Sequence, residues 1–330
     1  MKYYLAKIGY FLLTVWAAIT LNFFIPRLQP GDPAEQMVRK LQTTQGQDLD
    51  PAQVEAVRVM LGIPNTSLWE QYLAYFGQLA RGDFGISFIY YPFPVMQVIG
   101  EALPWTIGLV GVTQILAFVI GVLLGAFAAW RRDGAFDSIV SLGSTFIGNL
   151  PGFWIGLLIL SLLGFQLGWF PTQGGWGSYT EPGWNGLFIA DVIAHSFLPA
   201  LSLMVTAPIG FILGMRNTMV QTLGEDYIRL AQAAGLPERR IALGYGARNA
   251  LLPSVTSFAL SLGALIGGTV MIEAIYDFPG MGRLLADAAN NRDYPLMQGA
   301  LLLMILAVLL ANLIADLLYG VLDPRARRAS

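Results

Sequence analysis

Six long apolar stretches, 8–25, 105–130, 139–163, 196–215, 251–272 and 296–322, constrain this chain more than any other feature; five carry no charge, and the sixth carries only Asp316. A helix rises about 1.5 Å per residue, so some 20 apolar residues cross the ~30 Å hydrocarbon core of a bilayer. The composition agrees. Hydrophobic residues make up 55% and charged residues 12% of the 330, against a charged share of roughly 25% in soluble domains. The expected fold is an all-α polytopic membrane protein with six transmembrane helices.

In chain order, residues 1–25 form the first span. Lys2 and Lys7 precede its apolar run, which is longer than a signal-peptide core and has no small-x-small cleavage pattern behind it, so it reads as an uncleaved helix. Residues 26–103 are mixed and polar, a helical extracytoplasmic insertion after the first span. Pro30-Gly31-Asp32-Pro33 is a turn. Asp50-Pro51 and the pair Ser67 and Glu70 mark short helix starts, and 95–102 is an amphipathic lead into the second span. Residues 104–322 hold the other five spans, with 273–295 a loop between the last two, and 323–330 form a tail. Gly121 and Gly125 in the second span, and Gly263, Gly267 and Gly268 in the fifth, offer small faces for close helix packing. Asn149-Leu150-Pro151 interrupts the third span and frees backbone groups. Either a packed kink or a pore-lining break satisfies them. The 164–195 loop has no Lys or Arg and carries Trp169, Trp176, Tyr179 and Trp184, which suit a headgroup anchor or a stacking surface for sugar rings.

Basic residues set the orientation. With the N-terminus inside, Lys2, Lys7, Arg131, Arg132, Arg216, Arg229, Arg239, Arg240, Arg248, Arg325, Arg327 and Arg328 share one side. Five of the remaining seven lie in the long first loop, where the positive-inside rule has little force. Both termini are therefore expected in the cytoplasm, together with the stretch 222–253.

That stretch, TLGEDYIRLAQAAGLPERRIALGYGARNALLP, is a polar, basic insert between two apolar runs. Thr222 with Glu225 forms a capping-box pattern, Gly235 suits a helix stop, and Pro237 suits the first turn of a second helix, made basic by Arg239, Arg240 and Arg248. Tyr227, Ile228, Leu230, Ala231 and Ala234 give the first helix an apolar side. Such an insert lies at the membrane surface, either as a linker helix or as a docking element for a partner.

The missing chemistry is equally informative. The chain has no cysteine and a single histidine, His195, so it cannot build a thiolate or histidine-rich metal site by itself. No G-x-x-x-x-G-K-[ST] loop is present, and the three lysines sit at 2, 7 and 40. ATP as an energy source would require a separate subunit. No ionisable residue lies at a span centre; Glu273 and Asp316 are near span ends, where pairing or snorkelling accounts for them. That speaks against a proton-coupled carrier. The Ser196–His195 neighbours do not make a protease dyad. Polar candidates for a translocation pathway are Thr113, Gln114, Asn149, Thr206 and Asn217, each equally able to serve as a helix-packing hydrogen bond.

The 222–253 stretch resembles the EAA loop of ABC-importer permeases, in the branch that moves dipeptides, oligopeptides, nickel and some oligosaccharides. The resemblance rests on Tyr227, Ile228, Arg229, Ala231, Ala234 to Leu236, Glu238 to Arg240 and Arg248 to Pro253. Pro30–Ala34, Trp69–Tyr72, Arg81–Gly85, Glu273–Arg283 and Arg292–Pro295 are similar to the same branch. Two departures stand out: the motif glutamate is Leu230, and Gly235 and Pro253 lie further apart than in the general pattern, as suits the peptide branch. The resemblance implies a type I importer permease fold in the inner membrane and no cofactor in this chain, with ATP and Mg bound by separate ABC ATPase subunits. It also implies a second homologous permease subunit, an extracytoplasmic solute-binding protein, and no nucleic-acid partner. In the implied mechanism Ala231, Ala234 and Gly235 permit close helix approach, while Tyr227, Leu236 and Arg239 or Arg240 make contacts with the ATPase. Peptide is the expected cargo. An oligosaccharide such as a β-gluco-oligosaccharide is the runner-up, nickel is less favoured, and a stand-alone secondary transporter is the rival class.

Overall fold

The computed structural model describes residues 2–27, 50, 52–53, 56 and 67–322, with side chains from Lys7 onward except those of 262–268 and 315–322. The 30–33 turn, most of the short helix expected at Asp50-Pro51, the packing of Gly263, Gly267 and Gly268, the side chain of Asp316 and the 323–330 tail lie outside the described residues. The chain forms two units, residues 1–105 with 279–309, and residues 106–278 with 310–330.

The first unit contains α1 (Lys2–Arg27), α2 (Leu68–Ala80), the opening turns of α3 (Val95–Trp130), α11 (Met281–Asn290) and the opening half of α12 (Tyr294–Leu322). The Ser67–Glu70 capping box forms as expected, with Glu70 N donating to Ser67 Oγ at 3.3 Å and Ser67 N to Glu70 Oε2 at 3.1 Å. α2 packs on the end of α1, where the Thr20 and Tyr72 hydroxyls lie 2.8 Å apart and Asn22 Nδ2 donates to Tyr75 Oη at 3.0 Å. Asn22 and Gln298 exchange side-chain amide to carbonyl bonds of 3.0 and 3.1 Å, tying α1 to α12.

Asp293 is fully buried in this unit. Its Oδ2 accepts from Ser87 Oγ at 2.6 Å, Phe88 N at 2.7 Å and Ile89 N at 3.0 Å, and its Oδ1 accepts from Leu296 N at 3.1 Å. A carboxylate at a helix N-terminus meets free N–H groups and the positive end of the helix dipole. The 81–85 and 292–295 motifs, far apart in sequence, thus meet in space. A Cβ on Gly85 would lie 3.8 Å from Pro295 Cβ.

The second unit holds the rest of α3, then α4 (Ala135–Gly148), α5 (Gly152–Ile159) with its π-helical extension Leu160–Gln166, α6 (Gly186–Thr206), α7 (Pro208–Leu223), α8 (Asp226–Ala233), a single turn at Glu238–Arg240, a π-helical segment Ile241–Ala247, α9 (Arg248–Gly268) and α10 (Val270–Ile275). α3 meets α7 through its glycines. A Cβ on Gly121 would sit 2.6 Å from Phe211 Cβ and 2.9 Å from Pro208 O, and one on Gly125 would strike Ile212 O. The small-residue face expected from sequence is therefore in use.

Among the described residues, four helices are long and apolar enough to cross a membrane: Lys7–Ile25, Val95–Trp130, Gly186–Leu223 and Tyr294–Ile314. A fifth crossing is made if Ala135–Gly148 and Gly152–Gln166 count together, although they bend by 98° at the Asn149–Pro151 break. Three sequence expectations need correction. The fourth run is longer than 196–215, because helix starts at Gly186, where Asn185 Oδ1 caps Phe188 N at 2.8 Å, and continues through the break at Ala207 to Leu223. The 164–195 loop is correspondingly shorter. The 273–295 stretch is largely helical rather than a loop, as α11 buries Met281, Leu284 and Ala288 along one stripe.

Gly125→Leu should lower the thermal midpoint of the purified protein sharply, because the neighbouring atom is backbone and has nowhere to move, with a cost of at least about 1–3 kcal/mol. Gly111→Ala, which meets nothing within 4 Å, should leave the midpoint unchanged in the same thermal scan.

Candidate functional site

The 222–253 insert is built differently from its sequence pattern in one respect. Thr222 does not start a helix. It lies in the last turn of α7 and donates to Thr218 O at 2.9 Å, while Gly224 ends α7 and Glu225 precedes α8 without a side-chain cap. α7 runs on through Thr222 to Leu223, and Met219 and Leu223 still pack on the insert, so Thr222 lies inside a helix end and does not begin one. Ile228, fully buried, joins Ala231 and Ile241 in a small core, with Leu223 and Leu236 packed against it. The adjoining flank of α8 faces out: Tyr227 is 42% and Leu230 72% exposed, and Ala234, just past the last turn, is exposed as well. Residues three and four apart share a helix face, so Tyr227 and Leu230 lie beside the buried Ile228 and Ala231, and part of the apolar side of α8 is spent inside the chain while part is left uncovered.

Gly235 has φ +74° and open space around its Cβ position. Its demand is conformational, a left-handed helix stop, and not close packing within this chain. Of the residues expected to permit close approach, Ala231 is the one that packs internally, while Ala234 and Gly235 are exposed. Leu236 N closes the turn on Ala231 O at 3.2 Å, and Arg239 and Arg240 are exposed. Pro237 precedes the single turn Glu238–Arg240, which runs without interruption through the π-helical segment into α9. The second insert helix is thus the root of the following apolar helix. Asn249 Nδ2 donates to Tyr227 Oη at 3.1 Å, bracing α8 against that root. Gly246, which the sequence reading passed over, is the close-approach glycine here: a Cβ would lie 2.9 Å from Leu223 Cδ2. Its pairing with Ala247 and the nearby Gly244 was the available signal.

The five polar pathway candidates are not one cluster. Thr113 is buried and donates to Leu109 O and Val110 O at 2.7 and 3.0 Å; Gln114, also buried, donates to Ser261 Oγ at 2.6 Å. Asn149 is exposed at the end of α4 and donates to Thr145 O at 2.6 Å. Thr206 is half-buried and donates to Leu203 O at 3.3 Å, and exposed Asn217 accepts from Arg216 Nη1 at 3.3 Å. Thr206 lies beside the helix break that contains Asn149. A Cβ on Gly152, just past the Asn149–Pro151 break, would lie 3.9 Å from Thr206 Oγ1. The break between α4 and α5 therefore faces the break between α6 and α7.

The sequence profile described as "Binding-protein-dependent transport system inner membrane component" matches residues 121–328. The chain is 37% identical over 310 residues, 92% of each chain, to the oligopeptide transport system permease protein AppB of Bacillus subtilis. It is 34% identical over 327 residues to the dipeptide transport system permease protein DppB of Lactococcus lactis and 33% identical over 346 residues to that of Escherichia coli K12, with 99% of each chain covered in both cases. The chain belongs to this family of inner-membrane transport components.

As in the sequence reading, this family member shows no phosphate-loop motif; its polar chemistry lies in buried pairs between helices. Glu273, expected near a span end, is fully buried and accepts from Thr106 Oγ1 at 2.8 Å. Tyr276 Oη donates to Gly156 O at 2.9 Å and lies 2.9 Å from Ser202 Oγ, linking α5 and α6 to the end of α10. Asp137 on α4 holds Arg216 on α7 through two bonds. None of these pairs is readable from sequence, since the partners lie between 74 and 167 residues apart.

Ile228→Ala should loosen the insert, because a buried isoleucine cut to alanine costs about 2–5 kcal/mol, and trypsin should then cleave faster at Arg229, Arg239 and Arg240. Leu230→Ala, on the outer flank, should leave the cleavage rate unchanged.

Proposed function

We propose that this chain is a permease subunit of an ATP-driven ABC importer for peptides, working by alternating access. The observation that carries the reading is full-length similarity to proteins named as oligopeptide and dipeptide permeases. Those names favour peptide cargo over the oligosaccharide and nickel alternatives. Separate ABC ATPase subunits bind ATP and Mg and perform the hydrolysis. A second homologous permease completes the pore, and an extracytoplasmic solute-binding protein delivers the peptide.

The chain crosses the membrane six times, with the bent pair and the α9 run making two crossings and residues 26–103 forming the outer insertion. Both termini and the 222–253 insert lie in the cytoplasm, in keeping with the basic-residue distribution. The outer flank of α8, Tyr227 and Leu230 with Ala234 just past it, docks on the ATPase, with Arg239 and Arg240 at its margin. An exposed apolar stripe rimmed by charge is the usual form of such a surface. Gly235 and Leu236 shape the turn that presents it, and Ala231 anchors it from inside. Asn149 and Thr206, at the two facing helix breaks, line the pathway together with Asn217, while buried Thr113 and Gln114 hold the helices behind it.

Reconstitution tests this reading. Peptide uptake into proteoliposomes should require the ATPase chains, the binding protein and ATP; flux through the chain alone, indifferent to nucleotide, would establish the stand-alone carrier instead. Because the chain has no cysteine, Gln232→Cys gives a single reporter, which an impermeant maleimide should reach only from the cytoplasmic side. Gly235→Trp should abolish uptake and the stimulation of ATP hydrolysis by loaded binding protein, yet still co-purify with its partners. Normal uptake by that variant would remove the lever role of the insert.

A further inference from the structure

Asp137 and Arg216 form an ion pair of unusual completeness. Arg216 Nε donates to Asp137 Oδ1 at 2.8 Å and Nη2 to Oδ2 at 2.7 Å. Ser141 Oγ donates to Oδ1 and Asp133 N to Oδ2, both at 3.1 Å. Each carboxylate oxygen therefore takes two donors. The Asp137 side chain is only 4% exposed. Asp133 has φ +62°, so the turn that launches α4 adopts a left-handed conformation whose N–H is committed to this carboxylate. A bidentate guanidinium–carboxylate pair fixes direction as well as distance, which a lysine could not do.

The pair sits where two kinds of attachment meet. α7 continues directly into the insert. Leu223 packs on the Ile228–Ala231–Ile241 core, and Met215 and Met219 pack with Ala129, Ala242 and Ala250. Insert and α7 therefore share one apolar body. α4 packs along α7. The ion pair joins them in the first turn of α4. At the far end of α4 a Cβ on Gly148 would lie 3.2 Å from Ile209 Cγ2, directly before the Asn149–Pro151 break. An apolar contact allows sliding, whereas the ion pair resists it.

We propose that Asp137 and Arg216 are positioning residues of transport: their ion pair passes displacement of the 222–253 insert, through α7, to α4 and so to the helix break opposite Thr206. The proposal rests on the importer reading above. Neither residue touches nucleotide or peptide; both act through the helices that they join.

The test uses the complete importer in proteoliposomes and measures peptide moved per ATP hydrolysed. Arg216→Gln should lower that ratio about fivefold, within the range seen for changes along coupling networks, and Arg216→Lys should lower it less. The double variant Asp137→Asn/Arg216→Gln removes the ion pair without leaving a buried charge unpaired, so it keeps the measurement open if a single variant does not assemble. A pair with a purely structural role would reduce yield and thermal midpoint but leave the ratio at the parent value. That outcome in the double variant overturns the proposal. If the parent complex shows no ATP-dependent uptake, the importer reading fails, and a second measurement still judges the pair. Spin labels at Ser138→Cys and Gln232→Cys, read in the purified permease, should give a narrow distance distribution that broadens in the double variant. An unchanged distribution overturns the pair as a mechanical link on any reading of function.

Discussion

Hydrocarbon offers no hydrogen bonds, and that absence governs this structure. A polar group carried into the apolar body is costly unless another group answers it. The described residues answer many of them in matched sets, while Thr269 Oγ1 is buried without a hydrogen-bond partner. Asp293 takes four donors, Asp137 takes four, Asn22 and Gln298 exchange bonds, and Tyr276 bridges two helices. Without hydrophobic attraction between helices in lipid, close packing supplies the rest. Gly121, Gly125 and Gly246 let backbones and side chains approach where a methyl group would collide.

These two devices divide the labour. Glycine contacts bind α3, α7 and the root of α9 into one body, which carries the 222–253 insert at its end. Polar sets join that body to its neighbours at single, directional points. A body with few directional attachments is suited to moving as a piece. The insert follows the same logic on a smaller scale. Ile228 and Ala231 fasten α8 to the body, and Tyr227 and Leu230 remain uncovered within this chain.

Much of this was legible in the residues. The apolar runs, the Ser67–Glu70 cap, the Gly121–Gly125 face, the Asn149–Pro151 break and the stop at Gly235 follow from local rules that need only a few neighbouring positions. The failures are also local in origin. Thr222 and Glu225 satisfy a capping pattern, but Thr222 is taken into the last turn of α7, which ends only at Gly224. The 273–295 stretch looks like a loop because its helix α11 is short and amphipathic.

Sequence by itself determined that this chain enters a bilayer, that one apolar run breaks at Asn149–Pro151, and that it carries no phosphate loop, because hydropathy, proline and such a motif are properties of short windows. Only the tertiary structure decided which carboxylates are buried and by what they are held. Glu273 finds Thr106, Asp137 finds Arg216 and Asp293 finds the Ser87 turn across separations of 79 to 206 residues. Such pairings depend on which helices come to lie side by side, and no local pattern encodes that.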